Sequence, residues 1–286
     1  MNINWYPGHM AKTRRLLIEN LKLVDIVIEL LDARVPISSQ NPEFDGIFNN
    51  KKRVKVFNKS DLADPEISSL WKKYYESRGI PCIFINSKNG NGFKKLLSEI
   101  EKQLTEKFER DARRGILRRP IRAMVVGIPN VGKSTFINRL TGRAATRTGD
   151  RPGVTKNKQW IKVNKKIHLL DTPGILWPKF EDQKVGLNLA LSGAIKDEIM
   201  DLCGMTYVLL DFLVCNYKIQ LEERYGIIIE NQKSHEILDE IAIKRGYLAE
   251  AGAPDTFKTS QIILDEFRGA VIGHISLEKP KTTKKI

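Results

Sequence analysis

The sequence predicts an α/β fold with a mainly parallel sheet, followed by an all-α C-terminal domain. Its 286 residues, 41% of them hydrophobic, are enough for two domains that each have a core. In residues 1–180, strand-like apolar runs alternate with helical patterns, which is typical of a parallel sheet. From about Gly186 onward only long helical periodicities occur, which indicates a separate helical domain.

The first elements are predicted from apolar runs and from the turn residues that close them. After a basic helical start, DIVIELLDARVP predicts a strand that ends at Pro36. The next elements are a strand in RVKVFNKSD, a helix in ISSLWKKYYESRG, a strand in IPCIFINSKNG and a helix in GFKKLLSEIEKQL.

An arginine-rich stretch, KFERDARRGILRRPIR, separates these elements from a second group. Its weak periodicity predicts a solvated connector, with a phosphate contact as the alternative. AMVVGIPNVGKSTFINRL then predicts a strand, a glycine-rich loop and a helix, and QWIKVNKKIHLLDTPG predicts two neighbouring strands. The expected boundaries are a sheet domain over 1–180 (halves 1–106 and 121–180, linker 107–120), a helical domain over 181–278 and a basic tail over 279–286.

The charge and cysteine content restrict the class of protein. A net charge of +14 and a pI of about 9.6 favour a polyanionic partner such as nucleic acid. Three scattered cysteines favour neither a disulfide framework nor a zinc site, and they fit the reducing cytoplasm. The N-terminus has no apolar signal-peptide core, and MTYVLLDFLVCNY is too short for a membrane span, so it predicts a core helix.

GIPNVGKS at 127–134 fits the phosphate-binding pattern G-x-x-x-x-G-K-[ST] and lies between a predicted strand and a predicted helix. Gly127 and Gly132 permit the tight backbone, and the helix N-terminus favours an anion. Lys133 is expected to reach the β- and γ-phosphates and to act in catalysis, and Ser134 to ligate Mg²⁺. The other predicted nucleotide-binding residues of this segment are Asn130, Val131 and Thr135.

A second piece of a phosphate site is IHLLDTPG, whose apolar strand ends at Asp171. A carboxylate at that end of a strand can hold Mg²⁺, and the N–H of Gly174 can contact the γ-phosphate, so Gly174 is a binding and catalytic candidate. Between the two motifs, a polar loop offers Thr155 as a further Mg²⁺ ligand and catalytic candidate, with Thr146 and Thr148 as alternatives.

NKSD at 58–61 follows a predicted strand, at the sheet edge where open α/β folds bind ligands. The carboxylate of Asp61 can accept both the N1–H and the 2-amino group of guanine, which adenine cannot offer. Asn58 is expected to brace the loop, and Lys59 to lie over the base. Ser87 and Lys88, after the next strand, are expected to close the pocket.

The guanine motif precedes the phosphate motif here, the reverse of the usual order in GTPases. A permuted parallel sheet can keep the same strand neighbours and crossovers. The order NKSD, NSKNG, GIPNVGKS, GVT, DTPG resembles the circularly permuted GTPases. WYPGHMAK and FRGAVIGHISLE resemble the ribosome biogenesis GTPase A group among them. The resemblance implies a cytoplasmic GTPase in late assembly of the large (50S) ribosomal subunit, with a C-terminal RNA-binding domain.

The hydrolytic apparatus departs from the common pattern. Ile175 follows Gly174 where many GTPases have a glutamine that orients water, so we expect slow intrinsic hydrolysis, stimulated by ribosomal particles. Asn130 occupies a position where similar GTPases hold K⁺ near the phosphates, which predicts K⁺ as a possible cofactor beside Mg²⁺. His9, in YPGHMAK, is a catalytic candidate, with a surface or partner contact as the alternative.

The expected partners are the large-subunit precursor, its rRNA and ribosomal proteins, with no membrane and a monomeric chain. Predicted RNA contacts are Lys12, Arg14, Arg15, the arginine-rich connector and basic positions of the helical domain. The DTPGILWP loop leads directly into that domain, so nucleotide state could set its position. Two other functions stay open: a different RNA-linked GTPase, and an RNA-binding scaffold with structural nucleotide.

Overall fold

The computed structural model describes residues 7–142, 160–164, 166–170 and 182–281, and gives only the backbone for residues 7–13 and Ile199. The strands are β1 (Ile26–Asp32), β2 (Lys52–Asn58), β3 (Cys82–Phe84), β4 (Ile121–Gly127), β5 (Trp160–Lys162) and β6 (Ile167–Leu170). The helices before residue 142 are α1 (Pro7–Leu21), α2 (Glu43–Ile47), α3 (Pro65–Glu76), α4 (Phe93–Gln103), α5 (Thr105–Arg113) and α6 (Lys133–Thr141).

Residues 182–281 form what we call the helical part. Its helices are α7 (Gln183–Leu191), α8 (Leu202–Asn216), α9 (Lys218–Tyr225), α10 (Ser234–Arg245) and α11 (Thr256–Arg268), with 3₁₀ turns at Asp197–Ile199 and Glu250–Gly252. This part contains one isolated bridge, between Leu248 and Pro254, but no strand, as the sequence predicts.

The six strands form one sheet in the order β3-β2-β1-β4-β6-β5. All neighbours are parallel except β5 and β6, the antiparallel pair at one edge. The chain-distant strands β1 and β4 pair at the centre, and this pairing joins the first sheet half (β1–β3 with α2–α4) to the second sheet half (β4–β6 with α6). The fold therefore confirms the predicted mainly parallel sheet.

The strand register brings the ends of three strands to one edge. Asp32 at the end of β1 lies opposite Asn58 at the end of β2, and Leu30 lies opposite Gly127 at the end of β4. All seven residues of β1 are buried, as expected for a central parallel strand that is covered on both faces. The loops that follow these strands therefore meet at one edge of the sheet.

Helix α3 shows how the local sequence sets an element. Asp64 caps it by accepting hydrogen bonds from Glu66 N (2.8 Å) and Ile67 N (3.1 Å), and a proline stands at its first position. Ile67, Trp71 and Tyr75 recur at helical spacing and are buried against the sheet.

The predicted connector is partly helical. Helix α5 extends through residue 113, so it crosses the expected boundary between residues 106 and 107. None of its residues is fully buried, and Phe108 is its one large apolar residue, which packs against the core. Lys107 pairs with Asp111 at 2.6 Å, four residues along the same face, which favours the helix.

The helical part shares its core with the sheet. One apolar cluster runs from sheet residues such as Leu30 to Leu209 and Leu213 of α8, so the two separate cores that the sequence suggests are joined. Among the described residues, no single helix is long and apolar enough to cross a membrane. Helices α8 and α9 pass that test of length and composition only as a pair, bent by 115°.

Candidate functional site

Asn58 lies at the junction of the three loops that the sequence predicts to bind nucleotide. Its amide nitrogen donates to the Val131 carbonyl at 2.8 Å, within the phosphate loop. Its amide oxygen accepts from the Ser87 N–H at 3.1 Å and from the Ser87 hydroxyl at 2.8 Å. The Asn58 and Ser87 side chains are buried. One side chain thus ties NKSD to both GIPNVGKS and NSKNG.

The phosphate loop requires glycine at two positions. A Cβ on Gly127 would lie 2.6 Å from the Leu30 carbonyl oxygen of the neighbouring strand. A Cβ on Gly132 would lie 2.5 Å from the amide nitrogen of Asn58, and its φ of 97° is in the region that favours glycine. Both distances are shorter than those that real Cβ atoms make. A side chain at Gly127 would therefore push β4 away from β1, and one at Gly132 would displace the Asn58 amide.

Helix α6 begins directly after this loop, so its N-terminal N–H groups lie at the carboxyl edge of the sheet. The Lys133 ammonium donates to the carbonyls of Gly127 (3.1 Å) and Ile128 (2.6 Å), which places it inside the curve of the loop. Ser134 and Thr135 follow in the first turn and are partly exposed. The geometry suits a phosphate group and a metal-bound hydroxyl.

The NKSD loop turns sharply at Lys59, whose φ is 58°. Its ammonium lies 3.1 Å from Asp32 Oδ2 rather than extending freely into solvent. Asp61 is partly exposed, two residues further on. In the loop after β3, the Asn86 side chain accepts from the N–H groups of Lys88 (2.7 Å) and Asn89 (3.2 Å), and this turn leaves Lys88 exposed beside the site.

Asp32 and Arg34 are site residues that the sequence reasoning missed. Arg34 donates through Nε to Asp32 Oδ1 at 3.0 Å and through Nη2 to Oδ2 at 2.8 Å, and both side chains are only 2% exposed. Burial raises the pKa of the Asp32 carboxyl, but the charges of Arg34 and Lys59 outweigh it and hold that pKa well below its usual range. The sequence feature that could have indicated Asp32 is its position as the acidic residue that ends the apolar run of β1.

Arg34 also contacts the helical part. Its guanidinium donates to the carbonyls of Ser192 (3.1 Å) and Arg268 (3.3 Å). The Arg268 side chain in turn pairs with Asp197 at 2.7 Å and donates to the carbonyls at the end of α7. The turn after α7 is therefore held directly against the nucleotide edge of the sheet.

The phosphate loop meets the same turn. Asn130 has a φ of 55°, which asparagine tolerates better than most residues, and its side chain is exposed. Its amide nitrogen donates to the Gly193 carbonyl at 3.0 Å. This bond leaves the amide oxygen of Asn130 as the atom available to a cation.

Several predicted residues lie outside this description. Thr155, Asp171 and Gly174 fall among the residues that the structure does not describe. His9 lies in α1, but its side chain is not described.

Comparisons with known proteins agree with this geometry. A family model described as "50S ribosome-binding GTPase" matches residues 122–241. Ribosome biogenesis GTPase A of Bacillus pumilus is 47% identical over 282 residues, which cover 99% of this chain and 100% of that protein. The chain belongs to the ribosome biogenesis GTPase A family.

Two solved structures support the membership. The GDP-bound structure of TM YlqF matches with a TM-score of 0.67 and 27% identity, and covers 93% of this chain and 99% of its own. GNP-bound YlqF from T. maritima matches with a TM-score of 0.64 and 27% identity, and the match covers 94% of this chain and 99% of that one. The predicted family, the permuted GTPase fold and the role as a GTPase of ribosome biogenesis are thereby confirmed.

Proposed function

We propose that this GTPase acts in late assembly of the large (50S) ribosomal subunit and binds the precursor particle through rRNA in a nucleotide-dependent way. The observation that carries the nucleotide part is Asn58, which joins the guanine loop to the phosphate loop across a permuted sheet. The net charge of +14 and the names of the relatives support the ribosomal part.

In this proposal the motif residues divide the work by chemistry. Asp61 accepts the N1–H and 2-amino groups of guanine, and Lys133 neutralises the phosphates. Ser134, at the start of α6 beside Lys133, has the hydroxyl and the position that Mg²⁺ bound to a nucleotide needs. Thr155 and Asp171 are its further proposed ligands. Bound Mg²⁺ would supply positive charge to the phosphates.

Two groups are proposed to support hydrolysis in place of the missing glutamine. Asn130 would hold K⁺ through its amide oxygen, and the Gly193 carbonyl fixes the orientation of that amide. His9 is proposed as an acid or base that acts when the particle is bound. Gly174 would contribute an N–H to the γ-phosphate.

The location and organisation are proposed as well. We infer a cytoplasmic, monomeric enzyme with a sheet domain over 1–180, a helical RNA-binding domain over 181–278 and a basic tail. The arginine-rich connector supports an RNA contact by its exposure: Arg110, Arg113 and Arg114 all face solvent.

The proposal is tested by co-sedimentation with purified ribosomal subunits in GDP and in a non-hydrolysable GTP analogue. We expect binding to large subunits or their precursors that differs between the two nucleotides, and GTP turnover that rises when such particles are added. His9→Ala in the same turnover assay should lower the stimulated rate alone. Equal binding to small and large subunits, with unstimulated turnover, would favour a different RNA-linked role.

A further inference from the structure

Asp32 holds two cations beside the guanine-reading loop. Arg34 donates hydrogen bonds to both carboxylate oxygens, and the Lys59 ammonium lies 3.1 Å from Oδ2. The Asp32 and Arg34 side chains are almost fully buried, so water cannot replace a lost partner. A buried charge that loses its partner is strongly unfavourable.

The charge of Asp61, the residue proposed to read the base, also acts on this guanidinium. Burial lowers the pKa of Arg34, but the charge and hydrogen bonds of Asp32 outweigh burial and raise it, and the charge of Asp61 adds a smaller effect in the same direction. Asp32 and Asp61 are thus two carboxylates within electrostatic reach of one buried cation. At present Asp32 makes the direct contacts.

The helical part fixes the position of this cation from the other side. Arg34 donates to the carbonyls of Ser192 and Arg268, and its own carbonyl accepts from Leu277 N at 2.9 Å. Because these contacts keep the Arg34 side chain at the site, removal of Asp32 would leave its charge unpaired, within electrostatic reach of Asp61.

We propose that Asp32 is a positioning residue for guanine recognition: it holds Arg34 and Lys59 and so keeps the Asp61 carboxylate available for the base. The proposal rests on the proposed role of Asp61. A salt bridge between Arg34 and Asp61 would occupy the oxygens that must accept the N1–H and 2-amino group of guanine. Loss of Asp32 should therefore weaken guanine binding although Asp32 itself is not one of the residues proposed to contact the nucleotide.

The test compares GDP with xanthosine diphosphate. In Asp61→Asn, the side-chain amide can donate to O2 of xanthine and accept from its N1–H. This amide carries no charge that would attract Arg34. We expect Asp32→Asn to raise the Kd for GDP about tenfold. In an Asp61→Asn background, Asp32→Asn should change the Kd for xanthosine diphosphate by less than about twofold.

Glu29→Gln is a matched control on the same strand. Glu29 is also a buried carboxylate with two cations, Lys55 at 3.1 Å and Arg53 at 3.4 Å, but it lies three residues further from the nucleotide edge. This variant should lower stability and leave the Kd for GDP within about twofold of the wild type.

The outcomes distinguish the positioning role of Asp32 from the base-reading role of Asp61. An unchanged Kd for GDP in folded Asp32→Asn, or equal losses for GDP and xanthosine diphosphate, overturns the positioning role alone. An Asp61→Asn protein that gains no binding of xanthosine diphosphate overturns the base-reading role, and this proposal with it. If Asp32→Asn does not fold, Asp32→Asn/Arg34→Met removes both charges and should bind GDP within about threefold of the wild type. A tenfold loss in that double variant contradicts the proposal.

Discussion

The helical part contacts the two sheet halves in different ways. Towards the first sheet half it presents the half-buried carboxylate of Glu278, which accepts from the N–H groups of Ile37 (2.6 Å) and Ser38 (3.0 Å). Towards the phosphate loop of the second sheet half it presents the Gly193 carbonyl, which accepts from the exposed amide of Asn130. The first joint, which we call the charged joint, contains several hydrogen bonds to charged groups, whereas the second is a single exposed hydrogen bond that water can replace.

This difference indicates which contact can change during a GTPase cycle. An exposed hydrogen bond contributes roughly 1 kcal/mol or less, so nucleotide-dependent movement of the phosphate loop can break it. The charged joint should persist, so that the helical part moves together with the first sheet half. The sequence places the DTPGILWP segment immediately before the helical part. A change of bound nucleotide would therefore affect the helical part from the second sheet half.

The largest expected effect comes from breaking the charged joint at Glu278. The Glu278 carboxylate also accepts from the Ser38 hydroxyl and from the Asn188 amide at 3.0 Å, and both of those residues are buried. Glu278→Ala removes the acceptor of these hydrogen bonds and should lower the free energy of unfolding by about 3 kcal/mol, measured by urea titration. The Asn188 amide keeps its bond to the Ser38 hydroxyl at 3.1 Å. The exposed Glu250→Ala serves as control and should change the free energy of unfolding by less than about 0.5 kcal/mol. A loss in Glu278→Ala no larger than the control would show that the joint does not depend on this carboxylate.

The charged joint is also what the sequence reveals least. The motifs NKSD and GIPNVGKS could be placed because each is a local pattern with its own glycine or carboxylate chemistry. Arg34 could not be assigned a role, because its backbone partners Ser192 and Arg268 lie 158 and 234 residues further along the chain. Long-range polar pairing has no period in the sequence, and only the folded chain shows which charges meet.

Helix α5 was missed for a different reason. Most of its residues are charged and only Phe108 packs against the core, so the sequence offers too few apolar positions to predict the helix. Asn130 is an intermediate case: its place in the phosphate loop was predicted from the motif, but its contact with Gly193 was not.

A moderate effect is expected at Tyr217, on the same joint. Its hydroxyl donates to Asp64 Oδ2 at 3.0 Å and accepts from Ser276 N at 3.2 Å. Tyr217→Phe should lower the free energy of unfolding by about 1 kcal/mol. Burial, more than the nearby Asp64, raises the pKa of Tyr217 to about 12. The unfolded tyrosine ionises near pH 10. The hydroxyl's contribution is therefore complete below pH 10 and is lost as the pH rises towards 12.

Urea titrations at pH 8 and at pH 11 measure this difference. The gap between wild type and Tyr217→Phe should narrow at the higher pH. Tyr247→Phe is the comparison variant, since its ring lies against Lys258 away from the joint, and it should stay within about 0.5 kcal/mol of the wild type. A gap that is constant or wider at pH 11 would mean that the Tyr217 hydroxyl does not stabilise the joint in its protonated form.

The smallest effect on stability is expected where the phosphate loop meets the helical part. Asn130→Gly removes the bond to Gly193, and glycine adopts a φ of 55° readily, so the free energy of unfolding should change by less than about 0.5 kcal/mol. Ala251→Gly, at a φ of 62° in the helical part, controls for the exchange of a side chain for glycine at a positive φ.

Asn130→Gly should nevertheless lose the faster GTP turnover that we expect in K⁺ relative to Na⁺, because the amide oxygen proposed to hold K⁺ is gone. Equal wild-type rates in the two salts exclude the potassium role. A stability loss as large as that of Glu278→Ala would show that both joints are equally firm, and the helical part would then be fixed to both sheet halves.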